Sequence, residues 1–184
     1  MEIVQMQKCA NGGLMRTSIV ATFPDVEEDE IGNICRLTHP DMRCVGSCVL
    51  YVRLMQNLIF KDIQLDISAL KDIADRYDTR INDYIDLATN EDPTVLSLDD
   101  NMMGYTLKTM SVALWCLWHC NSFKDGLLSV VNLGGDADTN AAVSCALLGA
   151  KYGFSSIPRY YADNLQDKQI IEEIYNNIVL DLNG

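Results

Sequence analysis

The chain has 184 residues, 48% of them hydrophobic, and carries a formal net charge of −12 from 26 acidic and 14 basic side chains. That length suits one well-cored domain and is short for two, so residues 1–184 are read as a single domain. The acidic balance excludes a nucleic-acid surface, which needs a basic stripe, and argues against an anionic membrane as partner; small polyanions remain admissible where a cation or a helix N-terminus holds their phosphates.

Residues 1–9 are too few to predict an element. Ala10-Asn11-Gly12-Gly13-Leu14-Met15-Arg16 is a glycine-bearing turn leading into an apolar segment. Such a turn is either an ordinary connection, which composition favours, or a backbone cradle for a phosphate with Arg16 beside it. After Phe23-Pro24-Asp25, the acidic run Glu27–Glu30 suits the first turn of a helix, with Ile31, Ile34, Cys35 and Leu37 on its apolar side. Thr38-His39-Pro40-Asp41 interrupts it, because the residue before a proline leaves the helical region. His39 in that loop either reaches a ligand or is simply exposed.

Pro40 or Asp41 opens a second helix, in which Val45, Cys48, Val49, Val52, Met55 and Ile59 recur at three- and four-residue steps. Residues 62–90 hold another amphipathic pattern, with Ile63, Ile67, Leu70, Ile73 and Ala74 on one side and then, after a break, Tyr77, Ile81, Tyr84, Ile85 and Ala88. The polar stretch 90–101 reads as a connecting loop, since apolar helices resume after it. Gly104-Tyr105-Thr106-Leu107 starts the next helix, whose Leu107, Met110, Leu114, Leu117 and Trp118 place it in the core. Ser122 and Asp125 resemble a capping box for a helix ending near Val131.

Next comes Asn132-Leu133-Gly134-Gly135-Asp136-Ala137-Asp138-Thr139-Asn140. Gly134 and Gly135 permit backbone angles and close approaches that other residues avoid. Asp136, Asp138 and Thr139 gather three oxygen donors at a helix entrance, the ligand type that Mg²⁺, Mn²⁺ or Ca²⁺ prefers. Two readings stand. The acidic residues are plain N-caps, or they hold a hard metal ion; two carboxylates so close together repel one another unless a cation is present.

The following helix, to Gly153, is almost uncharged, and its small residues at 142, 145, 146, 149 and 153 allow close helix packing. Ile157-Pro158 breaks the chain before a last amphipathic helix from about Gln166 to Leu182. Seven dispersed cysteines and no secretory signal point to reduced thiols in the cytoplasm. Cys44/Cys48 and Cys116/Cys120, with His119, admit a zinc site, yet buried free thiols are the commoner role. No stretch alternates as a strand does, and no long repeat is present. The predicted fold is all-α: a single compact, mostly antiparallel helical bundle.

Four segments carry a resemblance: Asn11-Gly12-Gly13-Leu14-Met15-Arg16, Thr38-His39-Pro40-Asp41, Gly104-Tyr105-Thr106-Leu107, and Gly134-Gly135-Asp136-Ala137-Asp138-Thr139 with its small-residue helix. In this order and at these separations they resemble the ADP-ribosylglycohydrolases, which include dinitrogenase reductase-activating glycohydrolase and the ADP-ribosyl-serine and -arginine hydrolases. The resemblance implies an all-α fold with Mg²⁺ or Mn²⁺ in a central cleft. It places Asp136, Asp138 and Thr139 in the metal cluster and lays the loop Asn11, Gly12, Gly13, Leu14, Met15 along the diphosphate of ADP-ribose. His39 then faces the ribose region, and Gly104 and Tyr105 lie near the adenosine or the adjoining ribose.

The implied reaction is hydrolysis of the glycosidic bond between ADP-ribose and a protein side chain. The family's N-terminal part, with its catalytic glutamate and Thr-Asp-Asp metal ligands, has no counterpart here. The bundle is therefore expected to be N-terminally shortened, its binuclear site incomplete and its catalytic residues unknown. Activity is expected to be weak or absent, and a partner chain or self-association to cover the missing side. The alternatives are an inactive module that binds ADP-ribose or a nucleotide, and a structural helical scaffold.

Overall fold

The computed structural model describes residues 9–183, with side chains to residue 178. Among these the chain is helical throughout, with no strand: α1 (Glu28–Arg36), α2 (Met42–Lys61), α3 (Ile67–Ala74), α4 (Arg80–Leu87), α5 (Thr106–His119), α6 (Phe123–Asn132), α7 (Ala137–Tyr152), α8 (Arg159–Asp163) and α9 (Lys168–Asn183). Short 3₁₀ turns occupy Ser18–Thr22, Pro93–Leu96 and Phe154–Ser156.

The helix starts follow their local chemistry. The Glu27 N–H donates to Glu30 Oε2 at 2.8 Å, and three acidic side chains fill the first turn of α1. Asp41 caps α2, its Oδ1 accepting from the Arg43 N–H at 3.0 Å. Ser122 Oγ accepts from the Asp125 N–H at 3.1 Å, while Asp125 Oδ2 reaches back to the Asn121 N–H at 3.0 Å, one residue beyond the expected partner.

The amphipathic pattern expected from residue 62 becomes helical only at Ile67. Asp62 takes a left-handed conformation (φ 54°) and ends α2, and the chain runs non-helically to Asp66, which caps α3 through the Ala69 N–H at 2.8 Å. Ile63 keeps the helical spacing but is 51% exposed, because the turn at Asp62 removes it from the periodic face.

Helix α2 is the central element, touching α1, α3, α4, α5 and α7. Its Tyr51, 1% exposed, donates its hydroxyl to the Val143 carbonyl at 2.8 Å and ties α2 to α7. Helices α5, α6 and α7 pack against one another on the far side. All seven cysteines are free thiols and six are buried, the usual environment of a packed thiol. Between α6 and α7 on one side and α8 and α9 on the other lies a mostly apolar cleft of about 930 Å³, lined by Phe123, Leu127, Ala142, Tyr161 and Tyr175, with Asp138 also on its wall.

Candidate active site

Three of the four sequence segments meet at Asn11. Its N–H donates to the Gly104 carbonyl at 2.9 Å, and the Thr106 N–H donates to the Cys9 carbonyl at 2.9 Å, so residues 9–11 run antiparallel to 104–106. The Asn11 side chain turns the other way. Its Nδ2 donates to Asp136 Oδ2 at 2.6 Å and to Thr109 Oγ1 at 2.9 Å.

The fourth segment arrives through His39. Its imidazole lies over Gly12 so closely that a Cβ there would sit 3.0 Å from Cε1 and 3.2 Å from Nε2. Gly13 is as tight, against the Cys35 sulfur at 3.0 Å. A side chain at either position would have to displace its neighbour by a few tenths of an ångström. Burial, and then the nearby Arg16 charge, hold His39 below its ordinary pKa. Arg16 itself caps α1: its Nη2 donates to the carbonyls of Ile34 at 3.0 Å and Cys35 at 3.4 Å.

The Gly134-Gly135 turn, both residues at positive φ, sets Asp136 at the mouth of α7. Thr139 Oγ1 donates to Asp136 Oδ1 at 3.0 Å, so each oxygen of this half-buried carboxylate accepts one hydrogen bond. Each keeps lone-pair capacity for a further partner. Asp138 is exposed, accepts from the Thr139 N–H at 2.9 Å and lines the apolar cleft. Of the three expected ligands, Asp136 and Thr139 are joined through their side chains, and Asp138 meets Thr139 only at its main-chain N–H.

The donor chemistry of this corner fits a hard divalent ion, because every donor is an oxygen. The donor count is incomplete: no group of three His, Cys, Asp or Glu side chains able to hold a metal ion occurs among the described residues. Asp136, Asp138 and Thr139 would supply three oxygens of the six or more that Mg²⁺ or Mn²⁺ takes.

The remaining expected residues divide by burial. Met15 is half exposed, whereas Leu14 is wholly buried and offers only its main chain to a ligand. Tyr105, 6% exposed, packs edge-on against Tyr84 with centroids 5.6 Å apart, and its hydroxyl accepts from Arg43 Nη1 at 3.3 Å. Burial raises its pKa, so it stays a neutral phenol. Arg43 is also paired with Asp41 at 2.8 Å, and that hydrogen-bonded contact holds Asp41 well below the usual carboxylate range.

Sequence reasoning missed Leu98, whose carbonyl abuts Gly135, and the buried pair Thr109 and Asn140. The available signal was polarity inside apolar helical runs, since such residues are buried only when hydrogen-bonded.

A helical bundle whose glycine loops deliver a carboxylate and a hydroxyl to one helix mouth defines the class. A profile of the ADP-ribosylglycohydrolases matches residues 4–183, and the chain belongs to that family. Over 71 residues it is 38% identical to the ADP-ribosylarginine hydrolase Tri1 of Serratia proteamaculans (strain 568), covering 39% of this chain and 19% of that protein. Over 75 residues it is 36% identical to the ADP-ribosyl-[dinitrogen reductase] glycohydrolase of Rhodospirillum rubrum, covering 41% and 25%. Its fold is like that of a chain in an "ADP-ribosylglycohydrolase-related protein complex", with a TM-score of 0.71 at 23% identity, over 90% of this chain and 58% of the other. The chain thus spans a quarter or less of these two curated relatives.

Proposed function

We propose that this site binds ADP-ribose and serves the hydrolysis of the glycosidic bond between ADP-ribose and a protein side chain, with Mg²⁺ or Mn²⁺ as cofactor. The observation that carries the reading is the double engagement of Asn11. One residue joins the glycine loop to Gly104 through its main chain and to Asp136 through its amide. In this reading the main chain of Asn11, Gly12, Gly13, Leu14 and Met15 faces the diphosphate, His39 and Tyr105 flank the ligand, and Asp136, Asp138 and Thr139 hold the cation. A bound divalent cation polarises ribose hydroxyls and orients water. The protein's own part is to fix the carboxylate and to present the main-chain N–H groups of Gly12, Gly13 and Leu14 to phosphate oxygens, since those of Asn11 and Met15 already donate to the Gly104 and Asn11 carbonyls.

The named relatives hydrolyse ADP-ribosyl linkages, and this supports the reaction class. A second reading, binding without cleavage, is favoured by the state of the nearby carboxylates. Asp136 is held by Asn11 and Thr139, Asp41 by Arg43 and Asp100 by Lys108. None of these three is poised as a general acid or base, and turnover by this chain is expected to be weak or absent.

Calorimetry with ADP-ribose in the presence of Mn²⁺, alongside release of ADP-ribose from an ADP-ribosylated arginine protein, tests both readings. Heat with release supports the hydrolase, and heat without release supports the binding module. Absence of heat with either ligand leaves only the scaffold. We further propose that a partner chain or second copy covers the cleft and the exposed Phe154, Tyr160 and Tyr175 beside it. Light scattering that finds a lone monomer with no partner at working concentration would remove that part. Among the described residues no helix is long and apolar enough to cross a membrane.

A further inference from the structure

Behind Asn11 lies a buried hydrogen-bond chain. Asn11 Nδ2 donates to Thr109 Oγ1 at 2.9 Å, and Thr109 Oγ1 donates to Asn140 Oδ1 at 2.9 Å. The three side chains are 7%, 1% and 3% exposed. They come from the first loop and from the first turns of α5 and α7.

The chain has one self-consistent direction. Asp136 Oδ2, 2.6 Å from the Asn11 amide, needs a donor there, so the NH₂ group and not the carbonyl must face it. The same NH₂ gives its second proton to Thr109, which leaves the single hydroxyl proton of Thr109 for Asn140. Reversing the Asn11 amide would set its carbonyl oxygen 2.6 Å from the carboxylate, which is repulsive. Reversing the Asn140 amide would make Thr109 accept from both amides and deprive its own proton of the Asn140 acceptor.

We infer that Thr109 and Asn140 are positioning residues: acting through Asn11, they lock the orientation of the Asp136 carboxylate and so set its readiness for a divalent cation. The inference rests on the proposed cation site. Neither residue touches the cation or substrate. Asn11, held from behind by Thr109 and Asn140, fixes one oxygen of Asp136 while Thr139 fixes the other, and each oxygen keeps lone-pair capacity for a cation. Groups that orient a ligand from behind alter metal affinity by about 10- to 100-fold when removed.

The test is a titration of the metal-free protein with Mn²⁺, read by electron paramagnetic resonance of the free ion. Thr109→Val is expected to weaken Mn²⁺ uptake about tenfold or more, and Thr109→Ser, which keeps the hydroxyl, to recover most of the loss. In an Asn11→Ala background the Thr109→Val change should add nothing further, because its route to Asp136 is already cut. Asn140→Ala is the second variant, with the same loss expected, and metal-free melting curves establish that each variant folds. Wild-type uptake left within about twofold by both Thr109→Val and Asn140→Ala, or an undiminished Thr109→Val effect without Asn11, overturns the positioning role alone. No uptake by the wild type overturns the cation site and this inference with it.

Discussion

Gly135 faces the carbonyl oxygen of Leu98 so closely that a Cβ on it would lie 2.1 Å from that oxygen. Its φ of +66° adds a second objection to any side chain. Gly135→Ala is therefore expected to cost about 2–4 kcal/mol, combining left-handed strain with overpacking against main chain. Gly134 has the same sign of φ but no atom within 4 Å of its Cβ direction, so Gly134→Ala should cost about 1 kcal/mol. Urea denaturation of the two variants checks the contrast, and equal losses would refute the steric account.

His39 gives a pH readout of the glycine loop. Its folded pKa lies below the ordinary value of 6.5, first because it is partly buried and second because of Arg16. The unfolded chain therefore takes up this proton before the folded one. The associated stability is complete above the unfolded value and is lost as the pH falls through the folded one. Gly12→Ala should push the ring toward water and raise its pKa. Nuclear magnetic resonance titration of the imidazole, assigned with His39→Gln, would show the shift.

Asp41 behaves with the sign of a paired carboxylate. Arg43 holds its pKa down chiefly by hydrogen bonding, so its contribution is present above the unfolded value of about 3.9 and lost as the pH falls through the folded value. Asp41→Asn should lower stability at neutral pH by about 1–3 kcal/mol, between the exposed and buried limits for an ion pair. The difference from wild type should shrink on acidification below about pH 4. A constant difference down to low pH would assign the loss to helix capping alone.

Tyr51→Phe isolates one hydrogen bond inside the core. The ring keeps its packing and only the contact to Val143 disappears. A loss of about 1 kcal/mol in thermal or urea unfolding is expected. A much larger loss would mean that the hydroxyl also governs how α7 is seated.

Much of this architecture could be read in advance because the cues were local. Pro40 and Asp41 fixed the start of α2, and the Gly134-Gly135 pair marked the turn into α7. Other cues misled, as at Asp62, where a left-handed residue without glycine or proline ends α2 while Ile63 still keeps the helical spacing. The loops of the site were legible from their glycines and acids. The Leu98 contact and the Thr109–Asn140 relay were not, because each depends on residues brought together from distant elements. Tyr105 shows the same limit: its position at a helix start was visible, but its burial against Arg43 and Tyr84 was not.

The separation of Asn11 and Asp136, 125 positions along the chain, has a kinetic meaning. Closing so long a loop is entropically unfavourable until the intervening helices have docked, so the corner is completed late in folding. By the same token, a fluctuation that frees only the first loop would dismantle the corner while α5, α6 and α7 stay packed. Amide exchange at Asn11 and Thr106 should then outpace exchange within those helices, reporting the assembly and loss of the site before any global unfolding.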